Sequence, residues 1–244
     1  MENFILAPLA FATSIISGLT GMGGGTLLLS FMTFILPFNS IVPIHGLVQL
    51  FSNSSRCFYL RSSIRWSFVG YFALGMPIGF TISYFILNSL TETPYYYLLL
   101  SVFLIYAVFK PKWIPELRLE KYQWTVLGVI AVIQGSFIGV IGPLISPFFL
   151  RSDLEKEEVI ATKATVQMLV HFLKLPLFIS LHFDYKLWSL PIAIMVISAL
   201  LGSYFSVKIL LGKISNQHFR SLYKLALLVA ALRLFYKFVI GVMS

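Results

Sequence analysis

Charge is scarce in this chain. Of its 244 residues only 11% are Asp, Glu, Lys or Arg, against about a quarter in an ordinary soluble domain. A soluble fold of this size has more surface than so few charges can cover. That excludes a cytosolic enzyme and an intrinsically disordered chain. Cysteine is nearly absent: Cys57 stands alone, so neither an internal disulfide nor a thiolate metal site can form. Acids are half as many as bases, 9 against 18, and none lies firmly inside an apolar stretch. The sequence has no nucleotide-binding loop, no H-E-x-x-H and no G-x-S-x-G, which removes the usual signatures of ATP-driven and hydrolytic chemistry. A basic leader is missing as well, and the first apolar stretch runs well past signal-peptide length, as expected of an uncleaved first span.

What is present is hydrophobic: 58% of residues by count, 16% aromatic, with a mean hydropathy of +0.89. A spanning helix takes about 20 residues, so the length accommodates about seven to nine spans and little else. Apolar windows, charge-free from Glu2 to Arg56 and from Arg65 to Glu92, place eight of them, at about 4–36, 41–60, 66–90, 94–110, 122–150, 159–181, 186–211 and 219–242. The expected fold is therefore an all-α polytopic membrane protein of about eight transmembrane helices. The polar connector KPKWIPELRLEK marks a midpoint, dividing the chain into 1–110, a linker at 111–121, and 122–244. The net charge of +9 fits basic loops that set topology and touch anionic lipid, with no need of nucleic acid. Arg56, Arg61, Arg65, Lys110, Lys112, Arg118 and Lys121 follow the second and fourth spans, which puts the N-terminus in the cytoplasm of an eight-crossing chain. Lys208, Lys213, Arg220 and Lys224 between the last two spans contradict that count.

The two halves repeat. GLTGMGGGTLLLS (18–30) matches GSFIGVIGPLISP (135–147), pairing Gly18 with Gly135 and Gly25 with Gly142. A polar stripe, His45, Gln49, Asn53 and Arg56, recurs with the same spacing as Lys163, Gln167, His171 and Lys174. Helical periodicity keeps each stripe on one face, and in a membrane a polar face must look at protein or water. Two tandem four-helix repeats follow, with their first helices (1 and 5 in the chain) broken by glycine. The segment Gly23–Gly25, next to Thr26, is expected to be non-helical, and Gly139, Gly142 and Pro143 make the corresponding break. Each break opens a new helix N-terminus, which favours anions.

Cations without carboxylates make an interior suited to an anion. The expected binding set is Gly23, Gly24, Gly25, Thr26, His45, Gln49, Asn53, Gly139, Gly142, Pro143, Lys163, Gln167 and His171, with Arg56 and Lys174 as supporting charge. His45 or His171 would carry protons if transport is proton-coupled. No metal or cofactor is expected.

The Gly-rich first span, HGLVQLFSNSSR (45–56) with IRW (64–66), GVIGPLISP and ATKATVQMLVHFLK (161–174) together resemble the sulfite exporter TauE/SafE family over about residues 10–240. The resemblance implies a secondary transporter in the inner membrane, moving a sulfur oxyanion or organosulfonate, with homodimer formation an open expectation. Ile141 and Pro143 stand where that family often has further glycine. The alternatives are an intramembrane enzyme, or an accessory assembly protein whose stripes only pack helices.

Overall fold

The computed structural model describes residues 5–21, 23–89, 95–109, 117–149, 151–210 and 217–243. Residues 110–116 of the connector, Thr93 and Pro94 at the head of the fourth apolar window, and Lys213 lie outside the described residues. The described residues form ten α-helices and no strand: α1 (Leu6–Thr20), α2 (Gly24–Ile35), α3 (Phe38–Tyr59), α4 (Trp66–Ser89), α5 (Tyr95–Phe109), α6 (Lys121–Ile138), α7 (Gly142–Phe149), α8 (Lys156–Ser180), α9 (Ser189–Phe205) and α10 (Gln217–Met243). A π-turn, Ser206–Leu210, prolongs α9. The helices fill the eight apolar windows, with α1 and α2 sharing the first and α6 and α7 the fifth.

Local chemistry sets the boundaries. Capping boxes start α6 (Glu120 with Gln123) and α8 (Glu155 with Glu158), each satisfying two backbone N–H groups that a helix start leaves open. The Glu158 carboxyl is held below the usual carboxylate range by the Glu155 N–H and then by Arg65, whose Nε lies 2.7 Å away. Two helices, Trp66–Ser89 and the continuous Ser189–Leu210, are long and apolar enough by themselves to cross a membrane.

The glycine breaks are sharper than a kink. α1 ends at Gly21 (φ 66°), Gly23 has φ 87°, and α6 ends at Gly139 (φ 90°), a left-handed region that residues with a Cβ rarely enter. At both places the chain folds back on itself. Were α6 and α7 roughly collinear, Trp124 and Phe149 would stand about 37 Å apart, yet their rings are 5.2 Å apart. In the first half Leu6 and Ala10 of α1 share one core with Leu27, Leu28, Met32 and Leu36 of α2 and its end. Gly24 sits so close to the Thr13 carbonyl that a Cβ would overlap it. The first and fifth apolar windows are thus helical hairpins, not single continuous helices. The break also lies slightly earlier than the sequence suggests: Gly24 and Gly25 already belong to the first turn of α2.

This changes the direction of every later helix. α2 returns to the face where α1 began, so α3 starts there, and Phe38 packs on Tyr97 near the start of α5 (4.3 Å). α3 and α8 run antiparallel, with Gly46 against Lys174 and Cys57 Sγ 3.4 Å from Thr165 Oγ1. α5 and α10 are also antiparallel, through Ser101 to the Ala231 carbonyl and Tyr95 on Phe238. α4 and α6 run parallel, with Phe68 stacked on Trp124 and Thr125 bonded to the Tyr71 carbonyl. α1 and α9 are parallel too, with Phe11 beside Gly202 and Gly18 beside Ser206. Backbones approach closely in these last two pairs because a glycine faces a carbonyl: Gly75 to Thr125, Gly128 to Phe72 and Gly202 to Phe11. Small residues at such contacts are how apolar helices associate without a hydrophobic drive. Each of the four pairings joins one helix of the first half to one of the second. The connector divides the sequence, but the packing does not divide there.

Candidate functional site

The two hairpin tips meet between α3 and α8. The pocket there is lined by Ser17 of α1, Gly23, Gly25 and Thr26 of the first tip, Val140, Ile141 and Gly142 of the second, His45 and Gln49 of α3, and Gln167 and His171 of α8. Counted out to its open mouth, it encloses ≈ 310 Å³.

The lining has matched parts. Gln49 lies over the start of α2: a Cβ on Gly25 would be 3.1 Å from its Oε1. Gln167 lies over the start of α7: a Cβ on Gly142 would be 3.3 Å from its Nε2. Glycine at these two positions leaves room for an amide beside the helix end. In α2 the bond from Leu27 N–H to the Gly23 carbonyl closes the first turn (2.9 Å). The amides of Gly24, Gly25 and Thr26 therefore have no carbonyl within their own helix. In α7 the Ile145 N–H closes on Ile141 (3.1 Å). Both helices direct their positive ends at the pocket, one from each face.

The two histidines meet edge to face, with ring centroids 5.7 Å apart. His45 Nε2–H donates to the Gly25 carbonyl at 2.8 Å, which fixes that nitrogen as the protonated one. The Nδ1 atoms of both rings are buried with no hydrogen-bond partner. Both rings belong to the pocket lining.

Three buried cations surround this centre. Lys174 Nζ donates to the Gly139 carbonyl at 2.6 Å, pinning the second tip. Lys163 Nζ donates to Ser146 Oγ at 3.0 Å, and Ser146 donates on to the Gly142 carbonyl. Arg56 bonds the Asn53 side-chain oxygen (2.8 Å) and the Ser52 carbonyl (3.2 Å), while Asn53 donates to the Gln49 carbonyl (2.8 Å). Gln134, on α6, donates to the Val140 carbonyl and so holds the bend of the second tip (3.1 Å). The pocket lining contains no carboxylate.

Of the residues singled out in the sequence, Gly23, Gly25, Thr26, His45, Gln49, Gly142, Gln167 and His171 reach the pocket. Five do not line it. Gly24 is turned onto α1 because the hairpin closes there. Gly139 packs against Leu29 and Val42 at the bend, with its carbonyl taken by Lys174. Pro143 is buried in the first turn of α7. Asn53 and Lys163 stand behind the lining, on Arg56 and Ser146. Sequence reasoning missed Ser17, Val140 and Ile141 as lining residues. Ser17 lies four residues before Gly21, in the last turn before the bend, and a hydroxyl on an apolar helix gives no charge signal. Val140 and Ile141 contribute as parts of a bend, which hydropathy does not mark.

An arrangement of amide donors and helix N-termini, with no acid among the described lining residues, can hold an anion and discriminates against a cation. Among the described residues no group of three His, Cys, Asp or Glu side chains is placed to hold a metal ion. A family model described as Sulfite exporter TauE/SafE matches residues 6–234. No curated protein and no solved structure matches the chain.

Proposed function

The chain belongs to the sulfite exporter TauE/SafE family, and on that premise we propose that it is a secondary transporter of a small sulfur oxyanion or sulfonate, carried through the pocket between the hairpin tips. The family is one of membrane permeases for sulfur anions. The observation that carries the proposal for this chain is the convergence of two helix N-termini and two glutamine amides on one pocket whose lining has no carboxylate. A multi-atom oxyanion wants several donors at once, and neutral donors release it more readily than full charge pairs. The direct test is flux of radiolabelled sulfite into proteoliposomes, with sulfate, thiosulfate, a sulfonate and a carboxylate as competitors. A bound ligand should also raise thermal stability, by about 2.7 kcal/mol at a hundredfold excess over Kd. Absence of both flux and stabilisation with all of these anions would reject the assignment.

The halves 1–110 and 122–244 are read as an inverted repeat. The equivalence of α1·α9 with α6·α4 supports it, as does the self-pairing of α3 with α8 and of α5 with α10. With α1–α2 and α6–α7 as re-entrant hairpins, six helices cross, and the halves enter from opposite faces. The ends of α3, α5, α7 and α9 and the starts of α4, α6, α8 and α10 then share one face, and Arg61, Arg65, Arg118, Lys121, Arg151, Lys156, Lys208, Arg220 and Lys224 lie at or near it. The loops following α2, α4 and α8 share the other face and carry only Lys186. The charge rule then makes the basic face cytoplasmic and both chain ends exoplasmic. The cytoplasmic N-terminus expected from sequence assumed that the first window crosses. A reporter active only in the cytoplasm should be silent at either end and active in the α3–α4 loop. Activity at the N-terminus with silence in that loop would overturn this orientation.

Coupling to protons is assigned to the His45–His171 pair, in which His45, with its Nε2–H on the Gly25 carbonyl, leaves Nδ1 as the accepting nitrogen. Sulfite flux that is indifferent to a pH gradient across the vesicle would remove that role.

A further inference from the structure

Arg56 is 2% exposed, and among the described residues no carboxylate pairs with it. Its guanidinium instead bonds the Ser52 carbonyl (3.2 Å), Ser52 Oγ (3.4 Å) and Asn53 Oδ1 (2.8 Å), all neutral. A guanidinium carries its charge at physiological pH, and a buried charge is normally paired. Beside it lies a chain of hydroxyls from three helices: Ser14 of α1 to Ser52 of α3 at 3.1 Å, and Ser52 to Ser203 of α9 at 3.1 Å. Hydroxyls accept or donate by rotating, so this chain can turn its protons toward an anion that arrives and back when it leaves.

The cluster joins the pocket along two helices. On α3 a continuous hydrogen-bonded ladder runs from Gln49 through Asn53 to Arg56. On α1, Ser14 is one turn from Ser17, which lines the pocket; the step toward the basic face is made on α3, where Arg56 lies about two turns beyond Gln49. The counterpart level of the second half is apolar. By the offsets that pair Gly18 with Gly135 and Gln49 with Gln167, Ser14 corresponds to Ala131 and Ser52 to Val170. Both of those are fully buried in a hydrophobic cluster with Val132 and Phe72. The counterpart of Arg56, Lys174, is committed to the Gly139 carbonyl. On α3 the polar groups therefore continue from the pocket toward the end of that helix that bears Arg61 and Arg65.

We propose that Arg56, with the hydroxyls of Ser14, Ser52 and Ser203, is a second anion site on the basic-face side of the pocket, occupied in transit between the pocket and that face. The site takes the same class of ligand, a small oxyanion, and rests on the transport function proposed above. Its asymmetry makes a one-sided prediction. Sulfite flux would be measured in right-side-out and inside-out vesicles, for the parent, Arg56→Gln, Arg56→Lys, Ser203→Ala and, as a pocket control, Gln167→Leu. Arg56→Gln should raise the apparent KM at the basic face about tenfold and leave the other face within about threefold, the tenfold step equalling about 1.4 kcal/mol of lost affinity. Arg56→Lys, which keeps the charge, should recover most of the loss, and Ser203→Ala should move in the direction of Arg56→Gln. Gln167→Leu should raise KM at both faces. Equal shifts at both faces for Arg56→Gln would mean that Arg56 acts only by supporting Asn53 and Gln49, and the second site would be wrong. So would an unchanged KM in an Arg56→Gln variant that melts like the parent. Absence of flux in the parent would instead overturn the transport function itself.

Discussion

Replacing Gly24 by valine is expected to leave no protein that survives solubilisation. Gly24 opens α2 with its Cα directly against the Thr13 carbonyl and Ser17 Oγ of α1, where any Cβ would overlap both. The Ser17 side chain can rotate, but the Thr13 carbonyl is helical backbone and cannot yield without α1 moving as a unit. α1 is in turn held by α9 through Gly202 and Gly18. Overpacking of a tight interior usually costs about 1–3 kcal/mol, relieved by side-chain shifts. Here relief requires opening the hairpin, so a loss beyond about 4 kcal/mol is expected, a large share of a total stability of about 5–15 kcal/mol. Gly70→Ala is the control. Nothing lies within 4 Å of a Cβ at Gly70, and alanine there should hold or improve stability by up to about 1 kcal/mol through helix propensity. Detergent-extracted yield and thermal unfolding of the two variants provide the measurement. A Gly24→Val protein that unfolds at the parent temperature would show that the two helices are not packed face to face.

Gln49→Leu and Gln167→Leu are each expected to cut anion affinity by about 5- to 150-fold, and to do so without loss of fold. The amide of each lies over the first turn of a hairpin's returning helix, so leucine of similar length fills the space but leaves ligand oxygens without donors. An unsatisfied buried acceptor costs about 1–3 kcal/mol, which sets the range through the affinity relation. The pair tests the equivalence of the two halves: similar losses at both positions fit one ligand held from both sides. A loss confined to Gln49 would place the ligand on the first tip alone. Parent-like binding by both variants, in protein with parent-like melting, would put the site elsewhere.

Much of the helix inventory was legible from charge alone. The windows at 41–60 and 66–90 became α3 (Phe38–Tyr59) and α4 (Trp66–Ser89), because apolar runs bounded by Pro37, Arg61 and Arg65 leave few other places for a helix to start or stop. The stripes were legible for the same reason. His45, Gln49 and Asn53 are buried, as are Lys163 and His171, since polar groups at helical spacing in an apolar chain must face inward. What the sequence hid was direction. A run of about 33 apolar residues suits one tilted crossing or two half-crossings equally well, and glycine marks a break without telling its angle. The clue was the conflict in the second half, where Lys208 and Arg220 fell on the wrong side of an eight-crossing chain. The conflict disappears when the first and fifth windows are read as re-entrant hairpins, as proposed above. Asn53 and Lys163 stand behind the pocket lining; spacing gives the face of a helix but not the depth along it at which a pocket lies.

The pairing of α1 with α9 has a consequence for how the protein is made. Phe11 and Gly202 touch across 191 residues of chain, and Ser52 finds Ser203 across 151. On the ribosome, then, the first hairpin leaves the translocation machinery long before its permanent neighbour exists. Its glycine tip, with three amides lacking helical partners, must wait in a provisional setting until most of the polypeptide has been synthesised. Contacts so distant in sequence form late and slowly. Nascent chains halted before α9 would therefore present an unfinished hairpin to membrane quality control. Mutations that merely slow the closing step would lower the amount of protein in the membrane while leaving the turnover of each finished molecule unchanged.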